Sequence, residues 1–98
     1  MSSEPSLDEL RAAIDATDHA LLELVAQRRA LVLSIFARKR RLGLPLIDPE
    51  REAALLADRL AFARQRGVPE ALASRLISTL LEASHAIAEN LAPSGEPG

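Results

Sequence analysis

The chain has 98 residues, a length that corresponds to one small domain. Hydrophobic residues make up 48% of it, with 18 leucines and 18 alanines against only ten Val, Ile and Thr together. Because leucine and alanine favour helices, this composition excludes most sheet architectures and predicts an all-α fold. The lack of cysteine excludes disulfides and thiolate zinc sites, two distant histidines argue against a metal site, and the net charge of −2 offers no general attraction to nucleic acid.

The first predicted helix is unusually long. Ser6 and Glu9 form an S-x-x-E capping box, so the helix is expected to begin near Leu7 and to continue to the breaker Gly43. About 35 helical residues extend roughly 52 Å, whereas a compact chain of this size is only about 35 Å across. The chain cannot cover the apolar stripe of such a helix by itself. We therefore expect a second copy to cover it, which predicts a homodimer.

Two shorter helices are predicted to follow. Asp48 has the position of an N-cap and Pro49 that of a first helical residue, and this second helix is expected to run to about Gln65, before Gly67. Pro69 and Glu70 then open a third helix, which ends before Pro93. Apolar residues at helical spacing predict its core stripe: Leu72, Leu76, Leu80, Ile87 and Leu91.

The ends of the chain and its hydropathy indicate where in the cell the protein is expected. Residues 1–5 and 93–98 are expected to be disordered tails of a single domain that comprises residues 1–98. Residues 1–20 are acidic and polar, unlike a targeting sequence, and the uncharged stretch 31–37 is far too short to cross a bilayer. A soluble cytoplasmic protein that does not bind a membrane is the expectation.

The C-terminal half of the first helix carries an unusual charge pattern. Residues 26–41 contain six basic residues and no acidic residue. Arg28 and Lys39 are eleven positions apart, almost three helical turns, so they share a face with Val32 and Ile35. Cations along a partly apolar face are costly unless they are paired, which predicts an anionic partner from the protein or a ligand. Lys39 is also the one lysine beside eleven arginines, as expected where a compact ammonium is needed.

The remaining polar candidates have ordinary structural explanations as well. They are Asp48, Arg51, Glu52 and Ser84. Asp48 and Glu52 suit the start of any helix, and a mid-helix serine such as Ser84 is usually exposed or bonded back to its own helix. His19 and His85 have no partner in the sequence, so both are expected on the surface, and neither has the setting of a general base.

Taken together, these residues resemble a known enzyme family. Over residues 7–91 the chain resembles the all-helical (AroQ-type) chorismate mutases, on motifs at matching spacing: Leu10-Arg11-x-x-Ile14-Asp15-x-x-Asp18, Leu21-Leu22, Arg28-Arg29, Lys39 and Asp48-x-x-Arg51-Glu52. The resemblance implies an interlocked homodimer of three-helix chains with two active sites. It also implies conversion of chorismate to prephenate without a cofactor, a metal or a covalent intermediate.

The same resemblance implies roles in binding a substrate with two carboxylates. Arg28 is expected to hold a carboxylate, and Arg11 to reach the site from the partner chain, since planar guanidinium groups bind carboxylates with two hydrogen bonds. Arg11 is 17 residues before Arg28, about 100° away around the helix, and so points to a different face. Arg51 is expected to add positive potential and Ser84 to contact a carboxylate.

Other implied roles concern the reacting atoms, where one position departs from the family. Lys39 is expected to stabilise the negative charge that develops on the ether oxygen, while Glu52 and the backbone near Asp48 receive the C4 hydroxyl. The family commonly has glutamine or glutamate at the position of Ala88, and that side chain donates to the ether oxygen beside Lys39, whereas alanine cannot donate a hydrogen bond. Glu89 lies 100° further around the helix and could substitute only after a register shift.

Two alternatives to chorismate mutase remain open. One is a related enzyme on the same fold, either a 4-amino-4-deoxychorismate mutase or an isochorismate pyruvate-lyase, of which the first suits Glu52 better. The second is a non-catalytic helical module for dimerisation or regulation, which Ala88 would favour. Nucleic-acid binding is not expected, because Phe36 and Phe62 fit core positions and no Trp or Tyr offers a stacking surface.

Overall fold

The part of the chain that the structure describes forms three α-helices joined by short connections. The computed structural model describes residues 3–91, in which α1 comprises Leu7–Leu42, α2 Pro49–Gln65 and α3 Glu70–Leu91, with no strand in that range. The all-α prediction and all three helices are confirmed. None of these helices combines the length and apolar character needed to cross a membrane. The predicted tail 93–98 lies outside the described residues, as do residues 1–2, while residues 3–5 precede α1.

Local hydrogen bonds set the starts of α1 and α2. The Ser6 hydroxyl oxygen accepts a hydrogen bond from the backbone N–H of Glu9 at 3.0 Å, as the capping box predicts. At α2, Asp48 Oδ1 accepts from the Arg51 N–H at 3.2 Å, and Pro49 occupies the first helical turn. Each cap satisfies a backbone donor that has no partner within the helix.

Glycines in the left-handed region end α1 and α2. Gly43 has φ +71° and Gly67 has φ +74°. Beyond α1, the Leu44 N–H donates to the Lys39 carbonyl at 2.9 Å and the Gly43 N–H donates to the Arg40 carbonyl at 3.2 Å. This is the Schellman arrangement, which satisfies the last carbonyls of the helix and requires a residue with positive φ. The chain therefore leaves α1 where the sequence predicts.

Contacts divide the chain into two units, Met1–Val32 and Leu33–Gly98. In the first unit, described from residue 3, no residue is buried. Its large apolar side chains are exposed: Leu7, Leu10, Ile14, Leu21, Leu22, Leu24 and Leu31. Most of the stability of a helix in a protein comes from packing of its apolar face, and this unit has no such packing within itself. The assignment of residues 1–98 to one domain stays a prediction.

The second unit has a small core in which α2 packs on α3. The buried residues among those described are Phe36, Leu55, Ala63, Ala73, Ser84, Ile87 and Ala88. Alanines on facing helices allow their backbones to approach closely, which suits the packing of two short helices. The buried positions at the end of α3 are the ones that bear on the functional site.

The predicted core stripe of α3 is only partly correct. Ile87 is buried, and Leu80 and Leu91 are half-buried. Leu72 and Leu76 are 58% and 44% exposed, so their assignment to the core of a single chain is wrong. The apolar stripe is wider than the surface of α3 that is covered, and helical spacing alone does not show which part of a stripe is covered.

The two phenylalanines differ in burial. Phe36 is buried, as predicted. Phe62 is 59% exposed, and the guanidinium carbon of Arg66 lies 5.9 Å from the centre of its ring. The prediction that Phe62 belongs to the core is therefore wrong. One helical turn separates Phe62 from Arg66, and their contact is a cation–π interaction at the surface.

Candidate active site

An open pocket of about 510 Å³ lies in the second unit, between the connection that follows α1 and the last turns of α3. Its lining residues are Pro45, Leu46, Ile47, His85, Ala88 and Glu89. The last three are spaced three and four positions apart, so they project from one side of α3. A mostly apolar wall with a few ionisable side chains is typical of a small-molecule site.

Lys39 contacts the connection that lines one side of this pocket. It is half-buried in the last turn of α1, and its Nζ donates a hydrogen bond to the carbonyl oxygen of Leu46 at 3.1 Å. Because Gly43 ends the helix, the chain can turn back and bring Leu46 within reach of this side chain. An ammonium carries three N–H donors, so the contact holds Lys39 in place and leaves it able to bind a substrate oxygen.

The first turn of α2 carries three of the predicted site residues. Asp48 and Arg51 are exposed, and the Asp48 carboxylate serves as the N-cap. The Glu52 N–H donates to the Asp48 carbonyl at 3.0 Å, as the first hydrogen bond of the helix. Asp48 therefore caps α2, as its position in the sequence suggests. Its role toward a substrate stays a prediction.

Glu52 forms a contact that joins α2 to α3. Its Oε2 lies 2.7 Å from Nε2 of His85, and the side chains are 24% and 43% exposed. The expectation that His85 lies at the surface is consistent with this exposure, but the residue has a partner that the sequence does not show. The two residues are 33 positions apart, and only the packing of α2 on α3 brings them together. A sequence feature that points to His85 is its spacing of three from Ala88, which places both on one side of α3.

Three other positions on α3 were predicted to matter. Ser84 is buried, and its Oγ donates to the Leu80 carbonyl at 3.1 Å, the back-bonded arrangement common for a mid-helix serine. Ala88 is 6% exposed and lines the pocket. Glu89 lines it too, without any register shift, because the pocket is wide enough to include side chains 100° apart on the helix.

The remaining predicted residues, Arg11 and Arg28, belong to the first unit. The Arg11 side chain is 71% exposed and its Nη1 lies 3.9 Å from Oδ1 of Asp8, a surface ion pair that contributes little to stability. Arg28 is half-buried. Their roles toward a substrate stay predictions. Over residues 3–91, no three histidine, aspartate or glutamate side chains come together in a way that could hold a metal ion.

Comparison with known proteins identifies the class to which this fold and site belong. The family model for chorismate mutase type II matches residues 10–89. The match covers all of α2 and most of α1 and α3, and the chain belongs to this family.

Three individual relatives show how similar the chain is to named proteins. The chain is 42% identical over 79 residues to the T-protein of Enterobacter agglomerans, a match over 81% of this chain and 21% of that protein. It is 31% identical over 81 residues to the chorismate mutase of Methanocaldococcus jannaschii, over 83% and 82% of the two chains. It is 36% identical over 75 residues to the 4-amino-4-deoxychorismate mutase of Streptomyces pristinaespiralis, over 76% and 58%. The chain thus spans about a fifth of the T-protein. No solved structure matches it.

Proposed function

We propose that this chain is a chorismate mutase, which rearranges chorismate to prephenate. The observation that carries the proposal is the hydrogen bond from Lys39 to the carbonyl of Leu46, a residue that lines the pocket, in a chain that belongs to this family. The relative from M. jannaschii, of which the match covers 82%, is named a chorismate mutase. Soluble cytoplasmic location stays part of the same proposal.

To catalyse this reaction, the protein has to orient the substrate and stabilise the charge that develops on it. In the substrate one C–C bond forms while one C–O bond breaks, and no proton or group is transferred to the protein. Holding the substrate in a compact, chair-like conformer lowers the barrier by several kcal/mol. Arg28 and, from a partner chain, Arg11 bind the two carboxylates in this proposal, with Arg51 adding positive potential and Ser84 a further polar contact.

Lys39 supplies the charge stabilisation. As the C–O bond breaks, negative charge develops on the ether oxygen, and an ammonium beside it binds the transition state more strongly than the ground state. The half-buried position of Lys39 supports this role, because a charge interaction is stronger where water is partly excluded. Glu52 receives the C4 hydroxyl, together with the backbone near Asp48.

A homodimer completes the proposed site. The exposed apolar side chains of the first unit, Leu10, Ile14 and Leu21 among them, support a partner helix on this segment. Arg11, which is largely exposed in the single chain, is then available to the partner's pocket.

A 4-amino-4-deoxychorismate mutase is the second candidate. Two observations favour it: relatives of that name match the chain, at 36% identity in S. pristinaespiralis, and Ala88 cannot supply the donor that the family commonly has. The Glu52 carboxylate suits a C4 ammonium as well as a C4 hydroxyl. Release of pyruvate from isochorismate would instead indicate an isochorismate pyruvate-lyase, and a protein that turns over none of the three substrates would be a non-catalytic helical module.

The test is turnover of chorismate, with prephenate identified as the product by chromatography, and of the C4-amino compound and isochorismate in parallel. Lys39→Ala should lower kcat on chorismate by about 10²–10³-fold, the usual effect of removing a transition-state donor. The matched control is Arg38→Ala, which removes the adjacent, exposed cation and should leave kcat nearly unchanged. Equal losses in both variants, or no prephenate from the unmodified protein, would contradict the proposal.

A further inference from the structure

The contact between Glu52 and His85 joins α2 to the part of α3 that lines the pocket. Nε2 of His85 lies 2.7 Å from Oε2 of Glu52, and the Glu52 side chain is 24% exposed. His85 also lines the pocket, on the same side of α3 as Ala88. The contact therefore involves a carboxylate proposed to bind substrate and a ring that faces the space where substrate would lie.

The chemistry of the two groups fixes the direction of the hydrogen bond. An ionised carboxylate only accepts hydrogen bonds, so Nε2 of His85 carries a hydrogen and donates it to Oε2 of Glu52. Oε1 of Glu52 then remains to accept from a ligand. Because the donor sits on a different helix, the bond also holds the carboxylate in one orientation relative to the pocket.

We propose that His85 is a specificity-determining residue, which through its hydrogen bond to Glu52 makes the pocket favour a substrate with a C4 hydroxyl over one with a C4 ammonium. The inference rests on the proposed function, in which Glu52 receives the C4 substituent. His85 acts on the substrate through Glu52 and is in that sense a positioning residue.

The two C4 substituents require different things of the carboxylate. A hydroxyl donates one hydrogen bond and gains most from one acceptor oxygen held in a fixed orientation. An ammonium has three donors and a full charge, so it gains most from a carboxylate that shares its charge with no other group. His85 orients the Glu52 carboxylate, which favours the hydroxyl. It also uses part of that carboxylate's capacity to accept hydrogen bonds, which disfavours the ammonium.

The protonation state of His85 does not change the direction of this effect. The neutral ring of His85 donates to one oxygen of the Glu52 carboxylate, which is then less available to the substrate. The protonated ring makes the same bond and also repels a C4 ammonium. Other charged groups at this pocket are Glu89, four residues further along α3, and Lys39, whose Nζ donates to the carbonyl of the lining residue Leu46. Both are the same whichever form His85 takes, so neither reverses the effect. The bias toward the hydroxyl therefore follows from the contact itself.

The experiment compares kcat/KM for chorismate and for 4-amino-4-deoxychorismate in the full chain. His85→Leu, which removes the donor, should lower the chorismate-to-amino ratio by about tenfold, the effect of losing one hydrogen bond to a charged group. His85→Gln keeps a donor and should retain part of the preference. The matched control is His19→Leu, since His19 is exposed and belongs to the first unit; it should leave the ratio unchanged.

A double-variant test ties the effect to Glu52. In a Glu52→Gln background, His85→Leu should no longer change the ratio, because the carboxylate that His85 acts on is absent. If His85→Leu does not fold, His85→Met takes its place, since methionine is unbranched and fills irregular space.

Failure of this inference differs from failure of the proposed function. An active protein whose substrate ratio is the same in the unmodified and His85→Leu forms overturns the inference and leaves the mutase in place. If neither substrate is rearranged, the proposed function fails, and the inference is judged by calorimetric affinities for the two compounds. A tenfold shift of the affinity ratio toward the amino compound in His85→Leu supports it, and an unchanged ratio overturns it.

Discussion

Ala88→Gln introduces the glutamine that the family commonly has at this position, and we expect it to increase mutase activity. Ala88 lines the pocket on the same side of α3 as His85, and it is 6% exposed. Because Ala88 lines an open pocket of about 510 Å³, we expect a glutamine at this position to extend into that pocket. The added amide can therefore extend without disturbing the core, and it offers a second donor for the ether oxygen beside Lys39.

The size of the gain follows from two opposing contributions. A preorganised donor at a developing negative charge lowers the barrier by about 3–4 kcal/mol. Ordering a glutamine side chain costs about 2 kcal/mol of rotamer entropy. The difference of about 1–2 kcal/mol corresponds to a rate increase of roughly 5- to 30-fold, so we expect about tenfold. The gain should be in kcat, because the interaction strengthens as charge develops in the transition state.

The assay is steady-state conversion of chorismate to prephenate, with thermal unfolding measured on the same samples. Ala86→Gln is the matched control, because Ala86 is exposed on the same helix and lies about 200° from position 88. A fall in kcat for Ala88→Gln with unchanged unfolding temperature would refute the reasoning, since it would mean that Ala88 makes room for another group. Equal gains in both variants would refute it too.

Three further predictions concern Lys39, the dimer and the end of α1. Lys39→Arg should lower kcat at least tenfold with little change in stability, because a planar guanidinium cannot place its donors as an ammonium does; near wild-type turnover would contradict the proposed role. Light scattering should find a dimer, and a well-folded monomer at micromolar concentration would exclude the shared site. Gly43→Ala should lower the free energy of unfolding by about 1–2 kcal/mol in denaturant titrations, because φ at this position is +71°; unchanged stability would mean that α1 can end in another way.

The extent of every helix could be predicted from the sequence, because local interactions determine where helices begin and end. Ser6 and Asp48 accept hydrogen bonds from backbone N–H groups three positions away. At the end of α1, Gly43 donates to a carbonyl three positions back and Leu44 to one five positions back. Composition decided the fold class for a similar reason, since helix propensity acts residue by residue. The charge pattern around Lys39 likewise singled out that residue without knowledge of any contact.

Only the tertiary structure decided which side chains meet and which apolar residues are covered. The partnership of Glu52 with His85 depends on how α2 and α3 are rotated about their axes as they pack, and nothing within either segment specifies that rotation. The same packing leaves Phe62 and Leu72 exposed, although their spacing fits a core stripe. A helical pattern specifies a face of about 100° or more, whereas contact with a neighbouring helix selects only part of it. The pairing of residues 33 positions apart is therefore a property of the packed helices.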